Sequence, residues 1–159
     1  MWTFSILSVS PMPDHLSESV DRPITGIPPA ALPTAMARLI VEATVVAGAA
    51  LSPDARAALA ALAAAEQVDR TTVAMLQVHY LTLETQAWQS FRGGDTPAYL
   101  RGFRAARTIA ALHSAVSGGS PDTLANVIRE LVGTGLSIGA IDEMLRDYRA
   151  PSAHSDASV

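Results

Sequence analysis

The chain has 159 residues, a formal net charge of −4 and no cysteine. A chain of this length forms one compact hydrophobic core, which predicts a single domain. The absence of cysteine excludes disulfides, thiol catalysis and cysteine-ligated metals, and the acidic balance disfavours a nucleic-acid coat or a polybasic membrane anchor. Hydrophobic residues make up 49% of the chain and aromatic residues 5%. Alanine dominates the hydrophobic set, which favours closely packed helices.

The first part of the chain is rich in proline, serine and acidic side chains and has no sustained hydrophobic period. We expect a flexible leader over residues 1–27, in which either Met1 or Met12 is the translation start. The apolar run at the N-terminus lacks a basic flank and is too short for a signal peptide, which favours a cytoplasmic location. A disordered tail is predicted over residues 150–159, which leaves residues 28–149 as the folded domain.

The first predicted helix runs from about Pro33 to Gly48 and is apolar on most sides. Such a helix is usually central in its bundle. The wider stretch Ala30–Leu51 is long enough to span a bilayer, but Arg38 and Glu42 interrupt it. A buried amphipathic helix therefore fits better than a membrane span, and no membrane partner is predicted.

A strong start signal opens the second predicted helix. Ser52-Pro53-Asp54 combines a capping serine, a proline at the first helical position and a carboxylate near the positive end of the helix dipole. This helix is expected to continue to about Gln67. A break near Val68-Asp69 follows, where Asp69 can cap the next helix.

The same start signal recurs at Ser120-Pro121-Asp122 and opens a fifth predicted helix. Gly133 and Gly135 end that helix, and Ser137 is placed to cap the last one. The complete pattern predicts an all-α, single-domain bundle of about six helices with short connections and no strand.

An antiparallel helical hairpin, formed by residues 69–92 and 96–117, is predicted at the centre of the bundle. The turn between its helices contains two glycines, one of which supplies a left-handed residue. Thr96 is expected to cap the returning helix, with Pro97 at its first position.

Two polar residues, Gln77 and Glu84, fall on the apolar face of the first hairpin helix. Folding the hairpin about its turn places Glu84 level with Arg104, with Arg107 one turn further on. Since an unpaired carboxylate in this interface would be costly, we predict a buried ion pair between Glu84 and one of the two arginines. Such a pair would fix the register of the helices.

The alternative interpretation is a ligand pocket or active site between the hairpin helices. Its candidate residues are Gln77, Tyr80, Glu84, Arg104, Arg107 and His113. No catalytic residue is assigned, and no cofactor or metal is predicted. The segment Gly135–Gly139 matches the G-x-S-x-G string of hydrolases, but that motif requires a preceding strand, and Ser137 is better explained as a cap.

One segment, Leu62–Val73, resembles the helix-turn-helix of MarR-type transcriptional regulators in the small residue of its first helix and the β-branched residue of its second. It carries Gln67 where those proteins have glycine, and no basic winged hairpin follows. Leu131–Ile141 fits the general helix-turn-helix pattern at its turn, but its second helix is acidic on balance. The first resemblance implies DNA binding with residues 69–81 as the recognition helix. Candidate nucleic-acid or phosphate contacts are Arg70, Arg92, Arg101 and Arg104.

No motif in the sequence combines a nucleophile, a base and a metal site, whereas apolar helical surface is abundant for the chain length. The leading prediction is therefore a non-enzymatic protein that acts by association, as a homodimer or with a protein partner, in a regulatory or adaptor role. The alternatives are the DNA-binding regulator and the small-molecule sensor or enzyme with a pocket in the hairpin.

Overall fold

The computed structural model describes residues 26–118 and 121–151. These residues form six α-helices and no strand, which confirms the predicted all-α bundle. A short 3-10 helix, Pro29–Ala31, precedes the first of them. The helices are α1 (Leu32–Ala47), α2 (Pro53–Ala63), α3 (Arg70–Arg92), α4 (Thr96–Ser117), α5 (Pro121–Val132) and α6 (Ile138–Arg146).

Three of the predicted caps are present. The Ser52 hydroxyl accepts the Ala55 backbone N–H at 3.2 Å, and the Asp69 carboxylate accepts the Thr72 N–H at 2.9 Å. Ser137 caps α6 in the same way. The predicted cap at Ser120 lies outside the described residues. Each cap satisfies one of the N–H groups that the first helical turn leaves without a backbone partner.

The hairpin turn differs from the prediction in its capping residue. The carboxylate of Asp95, not the side chain of Thr96, accepts the Ala98 N–H at 2.9 Å, so Thr96 is already the first helical residue. A carboxylate at this position also interacts favourably with the helix dipole, which a threonine hydroxyl does less strongly. The left-handed residue of the turn is Gly94, with φ +78°.

Helix α2 ends earlier than predicted, at Ala63 instead of about Gln67. The Glu66 N–H bonds to the Ala61 carbonyl and the Ala65 N–H bonds to the Leu62 carbonyl, which is the Schellman pattern of a helix C-terminus. Ala65 has φ +55° and occupies the left-handed position that glycine usually fills. The sequence therefore conceals this helix end, because alanine carries no stop signal.

Helix α1 is the core helix. It packs against α2, α4 and α5, and seven of its residues are buried. Together with the preceding 3-10 helix, α1 forms one continuous helical segment, Pro29–Ala47. Among the described residues, this is the one helix that is long and apolar enough to cross a membrane, by length and composition alone. The buried residues are Leu32, Ala35, Met36, Ala37, Leu39, Ile40 and Ala43.

Three residues just outside the predicted domain of residues 28–149 take part in the described fold. Ile27, assigned to the leader, is 8% exposed and belongs to the core, and the Ala150 N–H donates to the Gly26 carbonyl at 2.9 Å. The remainder of the predicted leader, residues 1–25, and residues 152–159 of the predicted tail lie outside the part of the chain that the structure describes.

The hairpin has two unlike halves. Its base is covered by other helices, since α4 packs on α1, α2 and α5, and the buried residues of α4 all lie at or beyond Ala106. Its distal half pairs α3 with α4, and between Glu84 and Ala105 only Ala87 is buried. The two backbones approach closely there, because a Cβ on Gly102 would lie 3.1 Å from the Ala87 Cβ.

Replacing Ala65 with glycine should stabilise the protein by about 1 kcal/mol, because glycine adopts the left-handed conformation without the steric cost that alanine bears. The free energy of unfolding from urea titration measures the effect. Ala64→Gly is the matched control, since Ala64 has φ −84° and gains nothing from glycine. A destabilised Ala65→Gly variant would contradict the assignment of this helix end.

Candidate functional site

The side chain of Arg107 connects three helices. Its Nη2 lies 3.0 Å from Oε1 of Glu84 on α3, and its Nη1 donates to Oε2 of Glu130 on α5 at 2.9 Å. The three side chains are partly covered, with exposures of 19% for Arg107, 32% for Glu84 and 28% for Glu130. We call this arrangement the Arg107 triad. Such ion pairs count for more than fully solvated pairs, because less water screens them.

The triad contains the predicted ion pair of Glu84 with one of the two arginines, and it differs from the prediction in its exposure. Of the two arginines offered to Glu84, Arg107 forms the ion pair, while Arg104 lies on the outer side of α4 and points toward the loop after α5, where a Cβ on Gly135 would lie 4.0 Å from its Nε. The pair is also partly exposed instead of buried, because the covering by α5 is incomplete at this level of the hairpin.

Sequence reasoning missed Glu130, although a signal was present. Folding the chain about residues 118–119, between α4 and α5, places Glu130 level with Arg107. This is the same construction that located Glu84 relative to the α4 arginines. The sequence does not show that α5 packs on the same side of α4 as Glu84.

A cleft of about 290 Å³ opens beside the triad. Gln77 and Arg104, which were predicted as pocket residues, do not line it, and Gln77 is exposed on α3. The other four predicted residues do. The lining consists of Tyr80, Leu81, Glu84, Arg107, Ala110, His113, Ser114 and Glu130.

Two rings form one wall of this cleft. The Tyr80 and His113 ring centroids are 5.7 Å apart, with the planes tilted by 55°. Burial lowers the pKa of His113 below its ordinary value of 6.5, because the charged imidazolium loses solvation. His113 is therefore neutral at physiological pH and can both donate and accept a hydrogen bond.

The charged groups that line the cleft pair with one another. Arg107 engages both carboxylates, and Arg107, Glu84 and Glu130 together carry a formal charge of −1. In the described ranges, no hydrogen bond joins the Ser114 hydroxyl to a base, and no cluster of three or more metal-ligating side chains occurs. A small ligand with a cationic group matches this lining better than an anionic one.

The candidate phosphate contacts do not form a single patch. Arg70 and Arg92 stand at opposite ends of α3, about 33 Å apart along the helix at 1.5 Å per residue. Arg101 and Arg104 lie on α4, on the other helix of the hairpin. None of these four guanidinium groups forms a hydrogen bond or an ion pair with another described residue.

Four aromatic rings meet at the distal end of the hairpin. Trp88 lies 5.6 Å from Phe91 and 5.5 Å from Tyr99, measured between ring centroids. Tyr99 lies 5.8 Å from Phe103, and the Arg107 guanidinium lies over the Phe103 ring at 5.3 Å. This cluster holds α3 and α4 together where no third helix covers them.

Comparison with known proteins assigns the chain to no group, since it matches no protein-family model, no curated protein and no solved structure.

Replacing Arg107 with glutamine should destabilise the protein by about 2 kcal/mol, because two partly covered carboxylates are left without a cation. Urea unfolding at neutral pH measures the loss. Arg104→Gln removes the same charge from a neighbouring position without an ion pair, and it should change stability by less than about 0.5 kcal/mol. Equal losses in the two variants would show that the triad does not stabilise the fold.

Protonation of His113 should reduce stability. Because its pKa is lower in the folded protein than in the unfolded chain, the unfolded chain binds more protons as the pH falls through about 6.5. The free energy of unfolding should therefore drop between about pH 7.5 and about pH 5. The His113→Gln variant should lose less stability over the same range, and an identical pH dependence would refute the contribution.

Proposed function

We propose that this protein acts by association and not by catalysis: that it forms a homodimer through the outward face of α3 and serves a regulatory or adaptor role. The observation that carries the proposal is the exposure of three large apolar side chains on that face. Met75 is 49% exposed, Val78 57% and Leu81 47%. Exposed apolar residues that follow one another along a helix mark an interaction surface more often than scattered ones.

The exposed face of α3, which we call the α3 stripe, carries no formal charge. Between Arg70 and Arg92 the only Asp, Glu, Lys or Arg is Glu84, and its carboxylate is engaged by Arg107. Depletion of charged residues is the compositional mark of interface cores. The stripe consists of Thr71, Ala74, Met75, Val78, Leu81, Thr82, Thr85, Gln86 and Gln89.

The threonines of the α3 stripe also favour burial against a partner. The Thr82 hydroxyl donates to the Val78 carbonyl and the Thr85 hydroxyl donates to the Leu81 carbonyl, both at 2.8 Å. These donors are already satisfied within the helix, so excluding water from them costs less than burying a free hydroxyl. The threonine methyl groups then add to the apolar surface.

A second copy of the chain suits this surface when the two α3 helices run antiparallel. With the two-fold axis near Leu81 and Thr82, each Leu81 packs close to its symmetry mate. At that register Arg70 lies level with the partner's Gly93, between Arg92 and Asp95.

The surface of residues 69–81 gives less support to DNA recognition. Its exposed side chains include Met75 and Val78, and Arg70 is its one arginine. Phosphate contact requires several cations along a recognition element. The predicted DNA-binding role therefore remains the weaker alternative.

A small-molecule sensor is the second candidate function, and the cleft beside the Arg107 triad favours it. The volume of about 290 Å³ is at the small end of ligand sites, and the lining combines Tyr80 and Leu81 with the polar groups of Glu130 and His113. A small aliphatic amine is the simplest probe. Perturbation of the His113 ring resonances by such an amine would support this function, and unchanged resonances would count against it.

Introducing charge into the α3 stripe should separate the dimer. Light scattering should give the wild-type chain a mass of twice 16.6 kDa at high micromolar concentration, and the Val78→Asp, Leu81→Asp double variant a single-chain mass. The reason is that unpaired carboxylates would be buried at the centre of the contact.

The matched control is Val45→Asp, since Val45 is 71% exposed on α1 and lies outside the α3 stripe. This variant should remain dimeric. Circular dichroism of all variants separates dissociation from unfolding. A monomeric wild-type chain at every concentration would refute the homodimer.

A further inference from the structure

We propose that the distal end of the hairpin binds an acidic amphipathic helix of a partner protein. The surface, which we call the aromatic tip, is distinct from the α3 stripe and lies at the end of the molecule where α3 and α4 meet. It consists of Trp88, Phe91, Tyr99, Leu100 and Phe103.

The aromatic tip exposes more apolar surface than its own packing requires. Phe91 is 53% exposed, Trp88 44% and Leu100 42%, although the rings of the tip are in contact with one another. All seven residues from Phe91 to Pro97 are exposed. Tryptophan, tyrosine and arginine are the residue types that dominate binding energy in protein interfaces, and all three meet here.

The exposed side of α4 at the tip continues the side of α4 against which α5 packs. Leu100, Phe103, Arg104 and Arg107 have the spacing i, i+3, i+4 and i+7, which places them on one side of α4. At the level of Arg107, helix α5 covers this side and pairs its Glu130 with Arg107. Helix α5 then ends at Val132.

Val132 is 41% exposed, and the chain turns away at Gly133, where a Cβ would lie 3.1 Å from Arg107 Cγ. A partner helix placed beyond the end of α5 would cover Leu100 and Phe103 as α5 covers the base. It would present its own apolar residues with helical spacing, as in other helix-in-groove complexes.

Charge selects an acidic partner. Arg92, Arg101 and Arg104 each follow a residue of the tip directly in the sequence, and none of them is engaged by another described residue. The only acidic residue among them is Asp95, whose carboxylate caps α4. The tip is therefore locally positive, whereas the whole chain has a formal charge of −4. Carboxylates on both sides of an apolar stripe would pair with these arginines.

The charge distribution also favours a short acidic segment over an extended polyanion. A duplex or an anionic bilayer extends well beyond the tip and brings the rest of this acidic molecule into its field, which acts over about 8 Å at physiological ionic strength. A single helix in contact with the tip avoids that repulsion. The protein partner is thus the occupant that the local charge fits.

The proposal does not depend on the homodimer. In the antiparallel arrangement the two aromatic tips point away from each other and remain free, and in a monomer the single tip is equally free. Binding at the tip by the Val78→Asp, Leu81→Asp variant would thus support this inference even if the wild-type chain were monomeric.

The experiment uses the full chain and a fluorescein-labelled synthetic peptide, a helix of glutamate and alanine with leucines at positions i, i+3, i+4 and i+7. Fluorescence anisotropy should show saturable binding that weakens with salt. Two control peptides share the same length: one has the leucines scrambled around the helix, and the other has lysine in place of glutamate. Neither should bind.

Variants of the chain locate the binding surface. Arg101→Gln with Arg104→Gln should weaken binding about tenfold, equivalent to about 1.4 kcal/mol. Leu100→Asp should abolish binding by placing a carboxylate in the centre of the contact. Arg70→Gln with Arg129→Gln is the control, because it removes the same charge away from the tip. Circular dichroism confirms that each variant is folded.

Five outcomes would overturn the proposal, of which the first four concern the peptide and its competitors. These four are no binding of the acidic peptide, equal binding of the scrambled peptide, equal weakening by the control variant, and tighter binding of duplex DNA or phosphatidylglycerol vesicles at the same arginines. A large gain in affinity on neutralising Asp14, Glu18 and Asp21 would also overturn it. That result would identify the acidic segment of this chain itself as the occupant.

Discussion

The ion pairs of Arg107 determine how the hairpin joins the rest of the bundle. Its guanidinium pairs with a carboxylate on α3 and with another on α5. These two ion pairs fix the positions of α3 and α5 along the axis of α4. On one side of the level of these ion pairs the buried residues of α4 belong to the hydrophobic core, and on the other side α4 packs mainly on α3 through aromatic rings. The triad therefore stands at the boundary between the covered and the uncovered half of the hairpin. Its partial exposure follows from that position, because α5 ends a few residues beyond Glu130.

Small residues make the uncovered half possible. Ala87 and Gly102 let the two helices approach closely, so the distal hairpin is held by backbone proximity and by the rings of Trp88, Tyr99 and their neighbours. These contacts link α3 and α4 directly, and they leave surface free on two sides of the hairpin. One side is the α3 stripe and the other is the aromatic tip. Their properties differ, since the stripe is uncharged and arginines directly follow residues of the tip in the sequence.

Local chemistry made most helix boundaries predictable, and non-local packing decided the rest. Ser52 and Asp69 can be recognised as caps, because a serine or aspartate directly before a helix usually accepts a hydrogen bond from a backbone N–H of the first helical turn. Ala65 could not be recognised, since its left-handed conformation is imposed by the surrounding turn against its own preference. The triad was half predictable: hairpin geometry placed an arginine opposite Glu84, but choosing Arg107 over Arg104 required the position of α5. The sequence contained Glu130 at the right distance from the second turn, without showing on which side of α4 it would lie.

The arrangement of polar groups bears on the choice between association and catalysis. In the cleft, the carboxylates of Glu84 and Glu130 are both held by Arg107, and burial keeps His113 neutral. Groups that neutralise one another in the resting state are poorly placed to start a reaction, because each must first leave its partner. On the α3 stripe the hydroxyls of Thr82 and Thr85 are satisfied within the helix, so a partner can exclude water there at little cost. The carboxylates of the Arg107 triad and the threonine hydroxyls of the α3 stripe are thus engaged within the chain, whereas Arg92, Arg101 and Arg104 next to the aromatic tip are engaged by no other described residue.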